Sequence, residues 1–379
     1  MEFCQLGSLQ ILDISENNIS GNFPSCFSPV LIKQVHLSKN MLQGRLQDGV
    51  FYNSSSLVTL DLSYNHLNGI IPGWIDKLSQ LSYLVLANNN FEGEVPITLC
   101  QLNRLRLIDL SHNNLSGEIP SCLENTTLHE DHYNVSTPFS VNHLNIRTGP
   151  SMGKEEDIKF TTKKISYSYK GKPLNGMSGI DLSCNKFTGQ IPFQIGYLKR
   201  IRALNFSHNN LTGIIPITFG NLEQIESLDL SYNNLYGKIP PQLVKLNMLE
   251  VFSVAYNNLS GKTPEWIAQF ATFDESSYEG NPFLCGLPLF QTCSPIGSPS
   301  SMPNASTNSE EDNNLIDIDS FYITFIASYT VVLLGIAAVL YVNPYWRRRW
   351  FYVVEMWMTF CYYFVVDHLV PRRLLHGYM

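Results

Sequence analysis

The chain has 379 residues, of which 44% are hydrophobic and 15% are charged, and its formal net charge is −7. It can therefore build a long core, but it carries few surface charges. A net negative charge argues against a nucleic-acid-binding protein, for which a basic stripe is expected.

A short motif, Leu-x-Leu-x-x-Asn, recurs from the first residues of the chain to about residue 270. Its asparagines are Asn17, Asn40, Asn65, Asn89, Asn113, Asn185, Asn209, Asn233 and Asn257. Successive asparagines are 23, 25, 24 and 24 residues apart, then 72, then 24 three times. A period of roughly 20–29 residues is typical of the leucine-rich repeat, in which each coil buries its apolar face against its neighbours. The sequence therefore predicts an α/β solenoid with five repeats in 1–122 and four in 179–270.

Each repeat has a strand that places alternate residues on opposite faces. In the unit that contains Asn233, Leu228 and Leu230 are predicted to point into the solenoid, whereas Ser227 faces the concave surface. Asn233 is expected to turn inward, where its amide can satisfy backbone groups of adjacent coils. The leucines and asparagines are thus scaffold. Function is expected in the variable concave positions and in the segment that breaks the period.

The 72-residue gap contains a segment without repeats, from 123 to 178, which we call the island. The gap equals three periods, yet no Leu-x-Leu-x-x-Asn core occurs in it, so an insertion rather than degraded repeats is predicted. Within it, residues 158–174 alternate apolar and polar residues like a short strand and concentrate lysines and tyrosines.

Basic and aromatic side chains together suit the recognition of an acidic peptide or a carboxyl terminus. The predicted ligand-binding residues are therefore Lys163, Lys164, Tyr167, Tyr169 and Lys170. A solvated basic loop packed on the scaffold is the alternative, since no pocket can be read from sequence. We expect removal of the island to leave the repeats folded, because the stability of a solenoid is approximately a sum over coils and their neighbours.

Two cysteine pairs share one spacing. Cys4 and Cys26, like Cys100 and Cys122, are 22 residues apart. Because this is slightly less than one coil, each pair is predicted on neighbouring coils about 5 Å apart, which is disulfide distance. Reduced buried thiols are the alternative, but three disulfides and an oxidising compartment are favoured.

The third predicted disulfide joins Cys285 and Cys293 in a cap at 271–293. It follows the last repeat, where the exposed end of the solenoid has to be covered, and the eight residues between the two positions suffice to close a loop. Cys184 and Cys361 are predicted to be free thiols.

Nine Asn-x-Ser/Thr sequons support export and predict glycosylation. They are Asn18, Asn53, Asn114, Asn125, Asn134, Asn205, Asn210, Asn258 and Asn304. Four of them (Asn18, Asn114, Asn210 and Asn258) fall within the repeat consensus and are partly accidental, so the others carry more weight.

The composition changes after the cap. Residues 294–320 are rich in proline, serine and acidic residues and contain no lysine or arginine, which predicts a disordered acidic spacer. Residues 321–342 are uncharged and, at about 1.5 Å per residue, long enough for one transmembrane helix. Arg347–Arg349, between Trp346 and Trp350, indicate a cytosolic C-terminus. The prediction is a single-pass plasma-membrane protein with its N-terminus outside.

The remaining tail, 343–379, is too short for a kinase domain, and no Gly-rich loop or His-Arg-Asp sequence occurs in the chain. Residues 351–370 are apolar but contain Glu355, which favours a helix lying against lipid of the inner leaflet over a second span.

The run at 129–134 contains His and acidic residues, but no regular element fixes them as metal ligands. No catalytic, cofactor or metal site is predicted, so a partner has to transmit any signal.

Together these features resemble the plant leucine-rich-repeat receptor-like proteins, which are cell-surface receptors without a kinase. The resemblance rests on the plant-type "LSGEIP" repeats, the island followed by four repeats, "GNPFLCGLPL" at 280–289, and the acidic spacer, span and short tail. It implies a horseshoe whose island and nearby concave surface bind an extracellular peptide or protein. It also implies a co-receptor kinase at the repeats after the island and an adaptor receptor kinase at the span. Lys163 and Tyr169 resemble a Lys-x5-Tyr arrangement of such islands.

The chain departs from that family at its beginning, since it starts inside a repeat without a signal peptide or an N-terminal cap. Family members usually carry more repeats before the island, so we expect either a fragment of a longer protein or a short form whose first coil is exposed. Two alternatives to a signalling receptor remain: a nonfunctional truncated copy and an extracellular enzyme inhibitor of the repeat class. The span and tail argue against a secreted inhibitor. The ligand, and a role in defence or development, stay open.

Overall fold

The computed structural model describes residues 7–293, except 25, 26, 28, 47–49, 126–156 and 164. All the described residues lie in the first of two compact units of the chain, which spans Met1–Ile296. Predictions that fall outside the described residues concern the Cys4–Cys26 disulfide, Cys361, Lys164, the sequons at Asn134 and Asn304, the acidic spacer, the span at 321–342 and the tail. Within the described part, no helix has both the length and the apolar character needed to cross a bilayer.

The described elements are mostly short strands. In chain order the strands are β1 (Ile11–Asp13), β2 (Ser20–Gly21), β3 (Gln34–His36), β4 (Met41–Arg45), β5 (Thr59–Asp61), β6 (His66–Gly69), β7 (Tyr83–Val85), β8 (Asn90–Gly93), β9 (Leu107–Asp109), β10 (Asn114–Glu118), β11 (Asp157–Thr162), β12 (Ile165–Lys170), β13 (Gly179–Asp181), β14 (Lys186–Thr188), β15 (Ala203–Asn205), β16 (Ser227–Asp229), β17 (Tyr236–Gly237), β18 (Val251–Ser253), β19 (Asn258–Lys262) and β20 (Phe283–Cys285). One α-helix, α1 (Gly171–Gly176), follows β12. Short 3₁₀ helices are Gly73–Lys77, Ile97–Gln101, Ser121–Asn125, Phe193–Tyr197, Ile217–Asn221, Pro241–Lys245, Ala268–Thr272 and Glu275–Ser277.

Nine parallel strands form one sheet in the order β1-β3-β5-β7-β9-β13-β15-β16-β18. The middle residue of each strand points into the core, and the two flanking residues lie on the opposite surface, which we call the concave face. Leu228 and Leu230 are fully buried, as the alternation predicts. The predicted leucine-rich-repeat solenoid is therefore confirmed.

From the coil of β5 onwards, the other side of the coils carries 3₁₀ helices, which refines the predicted α/β class. Several of these five-residue helices begin directly after the proline of the Ile-Pro or Val-Pro motif, such as Pro96 and Pro192. Proline suits this position because its φ is fixed near −65° and it lacks an N–H that would need a partner. Only about one turn then remains before the next leucine, so longer helices do not fit.

The large sheet continues directly across the island. Strand β9 pairs with β13, with Leu107 opposite Gly179 and Ile108 opposite Ile180. The amide of Asn185 donates to the Leu110 carbonyl (2.9 Å) and its oxygen accepts from the Leu115 N–H (3.0 Å). The coils on the two sides of the island are thus immediate neighbours in space.

The consensus asparagines form a buried ladder, as predicted. The Nδ2 of Asn233 donates to the carbonyls of Phe206 (2.9 Å) and Leu230 (3.2 Å), and its Oδ1 accepts from the Leu211 N–H (3.0 Å). From Asn40 onwards, the ladder asparagines satisfy backbone groups of their own coil and of the preceding coil, which the interior of a solenoid cannot leave unpaired. Asn17, in the first described coil, is exposed and donates to carbonyls of its own coil.

The ladder has one more member than the sequence motif indicates. Asn281, in the cap, is buried and donates to the Val254 carbonyl (2.9 Å), while its Oδ1 accepts from the Leu259 N–H (3.0 Å). It stands 24 residues after Asn257, one full period. Asn281 does not match the sequence motif because Ser276 and Tyr278 occupy the two leucine positions. The spacing alone was the available signal.

Two of the three predicted disulfides are present among the described residues. Cys100 and Cys122 join the 3₁₀ helices of neighbouring coils, with their Cα atoms 5.7 Å apart. Cys285 and Cys293 close the cap, with a Cα separation of 5.1 Å. Cys184 is a free, half-buried thiol, also as predicted.

Candidate functional site

The described part of the island contains a β-hairpin, followed by α1, rather than the single short strand that the sequence suggested. Strands β11 and β12 pair antiparallel, with Ile158 opposite Tyr169 and Phe160 opposite Tyr167. We call them the island hairpin. Its turn contains Lys163, whose φ of 53° is the left-handed conformation that tight hairpin turns require.

The island hairpin lies with one face on the concave face of the large sheet. Ile158 and Phe160 are buried and form a cluster with Tyr83, Leu107 and other concave residues. The Phe160 ring covers Gly179, where an added Cβ would stand 2.6 Å from Cε1 of that ring. A glycine at this strand position therefore makes room for the ring.

Ion pairs hold both ends of the island hairpin. Lys159 Nζ lies 3.0 Å from a Glu16 carboxylate oxygen, on the coil of β1. Lys163 Nζ lies 3.0 Å from Glu226 and 2.7 Å from Glu250, on the coils of β16 and β18. The hairpin thus contacts coils before and after the island. The first contact is exposed and adds little stability, whereas the second is partly shielded.

The shielded contact stays charged over a wide pH range. Burial by itself would lower the pKa of Lys163, but hydrogen bonds to Glu250 and Glu226 raise it above its usual value. Burial likewise opposes ionisation of Glu226, yet hydrogen bonds from Lys163 and Arg202 hold its pKa below the usual value. The contribution to stability is therefore present above the ordinary glutamate pKa and below the ordinary lysine pKa, and it is lost outside that window.

A cleft of about 510 Å³ opens between the island hairpin and the coils of β15 and β16. Its lining residues include Lys163, Tyr167, Tyr169, Met177, Arg202 and Glu226. The Tyr167 and Tyr169 rings meet edge to face, 6.2 Å apart. Arg202 pairs with Glu226, but its buried Nε has no hydrogen-bond partner among the described residues. The cleft thus offers aromatic and aliphatic surface beside an ion pair.

The structure brings three of the predicted ligand-binding residues to this cleft. Lys163, Tyr167 and Tyr169 line it, Lys164 is outside the described residues, and Lys170 pairs with Asp157 at 2.8 Å instead. Lys163 is already neutralised by two glutamates, so an acidic ligand would have to displace them. Sequence reasoning missed Arg202 and its partner Glu226, because variable residues just before two separate strands give no signal until the hairpin covers them.

Comparison with known proteins identifies the repeats directly. The family model "Leucine rich repeat" matches residues 31–91 and 176–235, and a second model of the same description matches 8–30 and 104–126. Cuscuta receptor 1 of Solanum lycopersicum is 55% identical over 368 residues, which cover 91% of this chain and 33% of that protein. The chain belongs to the leucine-rich-repeat receptor-like proteins of plants.

Two further comparisons show what this receptor-like protein shares with its relatives. Receptor-like protein 1 of Arabidopsis thaliana is 54% identical over 223 residues, 56% of this chain and 20% of that protein. The chain thus spans a third or less of the length of these two relatives. A solved structure, the Arabidopsis receptor kinase HAESA in complex with the peptide hormone IDA and the co-receptor SERK1, matches with a TM-score of 0.52 and 27% identity, covering 75% of this chain and 44% of HAESA.

A pair of buried carboxyl groups lies where the two repeat blocks of this receptor-like protein meet. Asp109 and Asp181 stand opposite each other on β9 and β13, and both are almost fully buried. Each accepts hydrogen bonds from the serine two residues later. Burial and the neighbouring Asp181 raise the pKa of Asp109 to about 8, and burial raises that of Asp181. The sequence gives no sign of this, because the same Asp-x-Ser pattern recurs in other repeats.

Stability is expected to fall as the pH rises towards 8, and Asp109→Asn is expected to make that fall clearly less steep. Between pH 4 and about 8 the folded Asp109 keeps a proton that the unfolded chain has released, so each pH unit costs up to about 1.4 kcal/mol. Asparagine fits the position, since Asn205 accepts the same bonds from Ser207. Thermal unfolding of the detergent-solubilised full chain from pH 5 to 8 measures how the free energy of unfolding changes with pH.

The control for this experiment is Asp229→Asn. Asp229 accepts the same two bonds from Ser231 but is partly exposed, so its replacement is expected to leave this pH dependence in place. If the free energy of unfolding of the wild-type chain and of Asp109→Asn changed equally with pH, the prediction would be contradicted.

The structure separates the predicted glycosylation sites of this receptor-like protein by accessibility. Five described sequon asparagines are exposed: Asn18, Asn53, Asn114, Asn210 and Asn258. Asn205, in contrast, lies on the concave face, donates to Asp181 (3.1 Å) and accepts from Ser207. Four of the exposed sites lie within the repeat consensus, where a sequon can arise by coincidence. Accessibility follows from the position within the coil, and the sequon alone does not encode it.

Proposed function

We propose that this receptor-like protein binds an extracellular peptide in the cleft beneath the island hairpin and signals through partner receptor kinases, in defence or development. The observation that carries the proposal is the island hairpin itself. It is packed on the concave face and paired with Glu226 and Glu250, yet it leaves an open cleft of about 510 Å³. A segment that served only as a spacer would not need an aromatic and charged cleft against the scaffold.

The chemistry of the cleft favours an amphipathic peptide over a strongly acidic one. Lys163 and Arg202 are balanced by Glu226 and Glu250, so the net charge of the four side chains is zero. An apolar side chain of a peptide can pack between Tyr167 and Met177, beside the Arg202–Glu226 ion pair. The likeness to HAESA, which was solved with a peptide hormone and a co-receptor, supports a peptide ligand and a co-receptor.

The remaining parts of the proposal concern location and partners. Disulfides in the repeats and the cap suit an oxidising, extracellular environment, and five exposed sequons suit glycosylation there. The predicted span at 321–342 would anchor the chain in the plasma membrane with its repeats outside and lipid around its span and tail. Since no kinase motif occurs in the chain, adaptor and co-receptor leucine-rich-repeat kinases would carry the signal.

A photo-cross-linking side chain in place of Tyr167 is expected to capture a peptide from plant extracellular fluid. Tyr167 is 41% exposed and lines the cleft, so a bound peptide must pass close to it. The full chain, behind a cleavable signal peptide, is expressed in plant cells, irradiated on the cell surface and analysed by mass spectrometry.

The matched control places the same cross-linker at Ile97, which is 74% exposed on a 3₁₀ helix of another coil. Capture at position 167 but not at 97 is the expected result. If surface-exposed protein captures no peptide at position 167, or captures the same peptides at both positions, the assignment of the cleft is wrong.

A further inference from the structure

A second concavity lies on the flank of the solenoid, away from the island hairpin. It is a groove of about 600 Å³ on the six-stranded sheet β14-β10-β8-β6-β4-β2. Five exposed side chains line it: Arg45, Asn68, Asn90, Glu92 and Asn114. Strand register brings them together, because Arg45 stands opposite Asn68, Asn68 opposite Asn90, and Asn114 opposite Glu92.

The chemistry of this groove differs from that of the remaining scaffold. None of the five side chains forms a hydrogen bond or an ion pair within the described part of the chain, whereas ladder asparagines and Asp-x-Ser pairs are satisfied internally. Three amides, a carboxylate and a guanidinium supply many donors and acceptors. The two charges cancel, so neither a simple anion nor a simple cation is favoured. A molecule rich in hydroxyl groups satisfies such a lining best.

One wall of the groove is itself a sequon. Asn114 is followed by Leu115 and Ser116, and a sugar attached to its Nδ2 begins inside the groove. We propose that the N-linked glycan of Asn114 lies in this groove, with its first sugars hydrogen-bonded to Arg45, Asn68, Asn90 and Glu92. The covalent link supplies a high effective concentration, so even weak contacts suffice. This inference rests on the extracellular location in the proposed function.

A glycan held in this way is less accessible to enzymes than one that extends into solvent. Each hydrogen bond makes a modest net contribution, so two or three together are expected to slow the release of the glycan roughly tenfold or more. The full chain, behind a signal peptide, is expressed in plant cells with a mannosidase inhibitor, so that every glycan remains a substrate for endoglycosidase H. The native protein is digested for increasing times, and each sequon is quantified by mass spectrometry.

Asn258 is the matched internal control. It holds the same position in its coil, but Tyr236 stands opposite it where Glu92 stands opposite Asn114. We expect the Asn114 glycan to be released roughly tenfold more slowly than the Asn258 glycan in the native protein, and equally fast after denaturation. The double variant Arg45→Ala, Glu92→Ala should bring the two native rates together. Both side chains are exposed, so folding should be little affected.

The outcomes separate this inference from the proposed function. If Asn258 and the other exposed sequons carry no glycan, the extracellular location fails, and this inference fails with it. If they are glycosylated while Asn114 is bare, or if its glycan is released as fast as that of Asn258, only the groove assignment is overturned. Slow release that persists in the double variant also overturns it.

Discussion

Phe160→Ala is expected to detach the island hairpin from the concave face and to lower its stability by about 3–5 kcal/mol. The ring is 1% exposed, covers Gly179 and packs with Tyr83 and Leu107. The hairpin is a local unit, so the loss appears first as local opening rather than as unfolding of the coils. Hydrogen exchange of the amides in 157–170 should accelerate strongly, while exchange in the buried strands of the coils should change little.

Tyr167→Ala is the matched control for this prediction. Tyr167 stands opposite Phe160 on β12 and is 41% exposed, so its removal should change stability by no more than about 0.5 kcal/mol. Unchanged hairpin exchange in Phe160→Ala would show that the packing on the sheet is not what holds the hairpin.

The same packing changes the expectation for removal of the island. The sequence suggested that a looped insertion could be deleted at little cost. Deletion of 126–176 would, however, expose Tyr83, Leu107 and their neighbours, which the island hairpin covers in the intact chain. We therefore expect lower solubility of a deleted chain, and point substitutions test the ligand site more cleanly.

Asn233→Ala is expected to destabilise the repeats after the island by roughly 3 kcal/mol or more. The substitution leaves the Leu211 N–H without its acceptor and removes the donor to the Phe206 and Leu230 carbonyls, all in the core. Each buried group without a partner costs about 1–3 kcal/mol. Coils in a solenoid support their neighbours, so the loss should spread to the adjacent coils as well. Thermal unfolding and hydrogen exchange of 203–260 measure it.

Asn234→Ala provides the control in the same coil. Asn234 is the next residue, is exposed, and contributes a backbone hydrogen bond to the Leu211 carbonyl that alanine retains. Its replacement should have an effect within about 0.5 kcal/mol. Equal effects of the two substitutions would mean that the ladder asparagine is not a stabilising element.

The sequence by itself determined the features that repeat with the coil. The buried leucines, the asparagine ladder and the Cys100–Cys122 pair follow from the spacing, because each contact joins positions about one period apart. The residue types of the island and the break in the period also singled out Lys163, Tyr167 and Tyr169, which line one cleft in the structure. Their role in ligand binding stays a prediction.

Only the tertiary structure decided where the island goes and what it meets. Lys159 contacts Glu16 and Lys163 contacts Glu226, although 143 and 63 residues separate the partners, and no period relates them. The Phe160 ring fits on the sheet because the variable position 179 is a glycine, and Asp109 stands opposite Asp181 because the neighbouring coil comes from beyond the island. Such contacts depend on the path of a non-repeating segment across many coils, and its residues alone do not specify which concave positions they will cover.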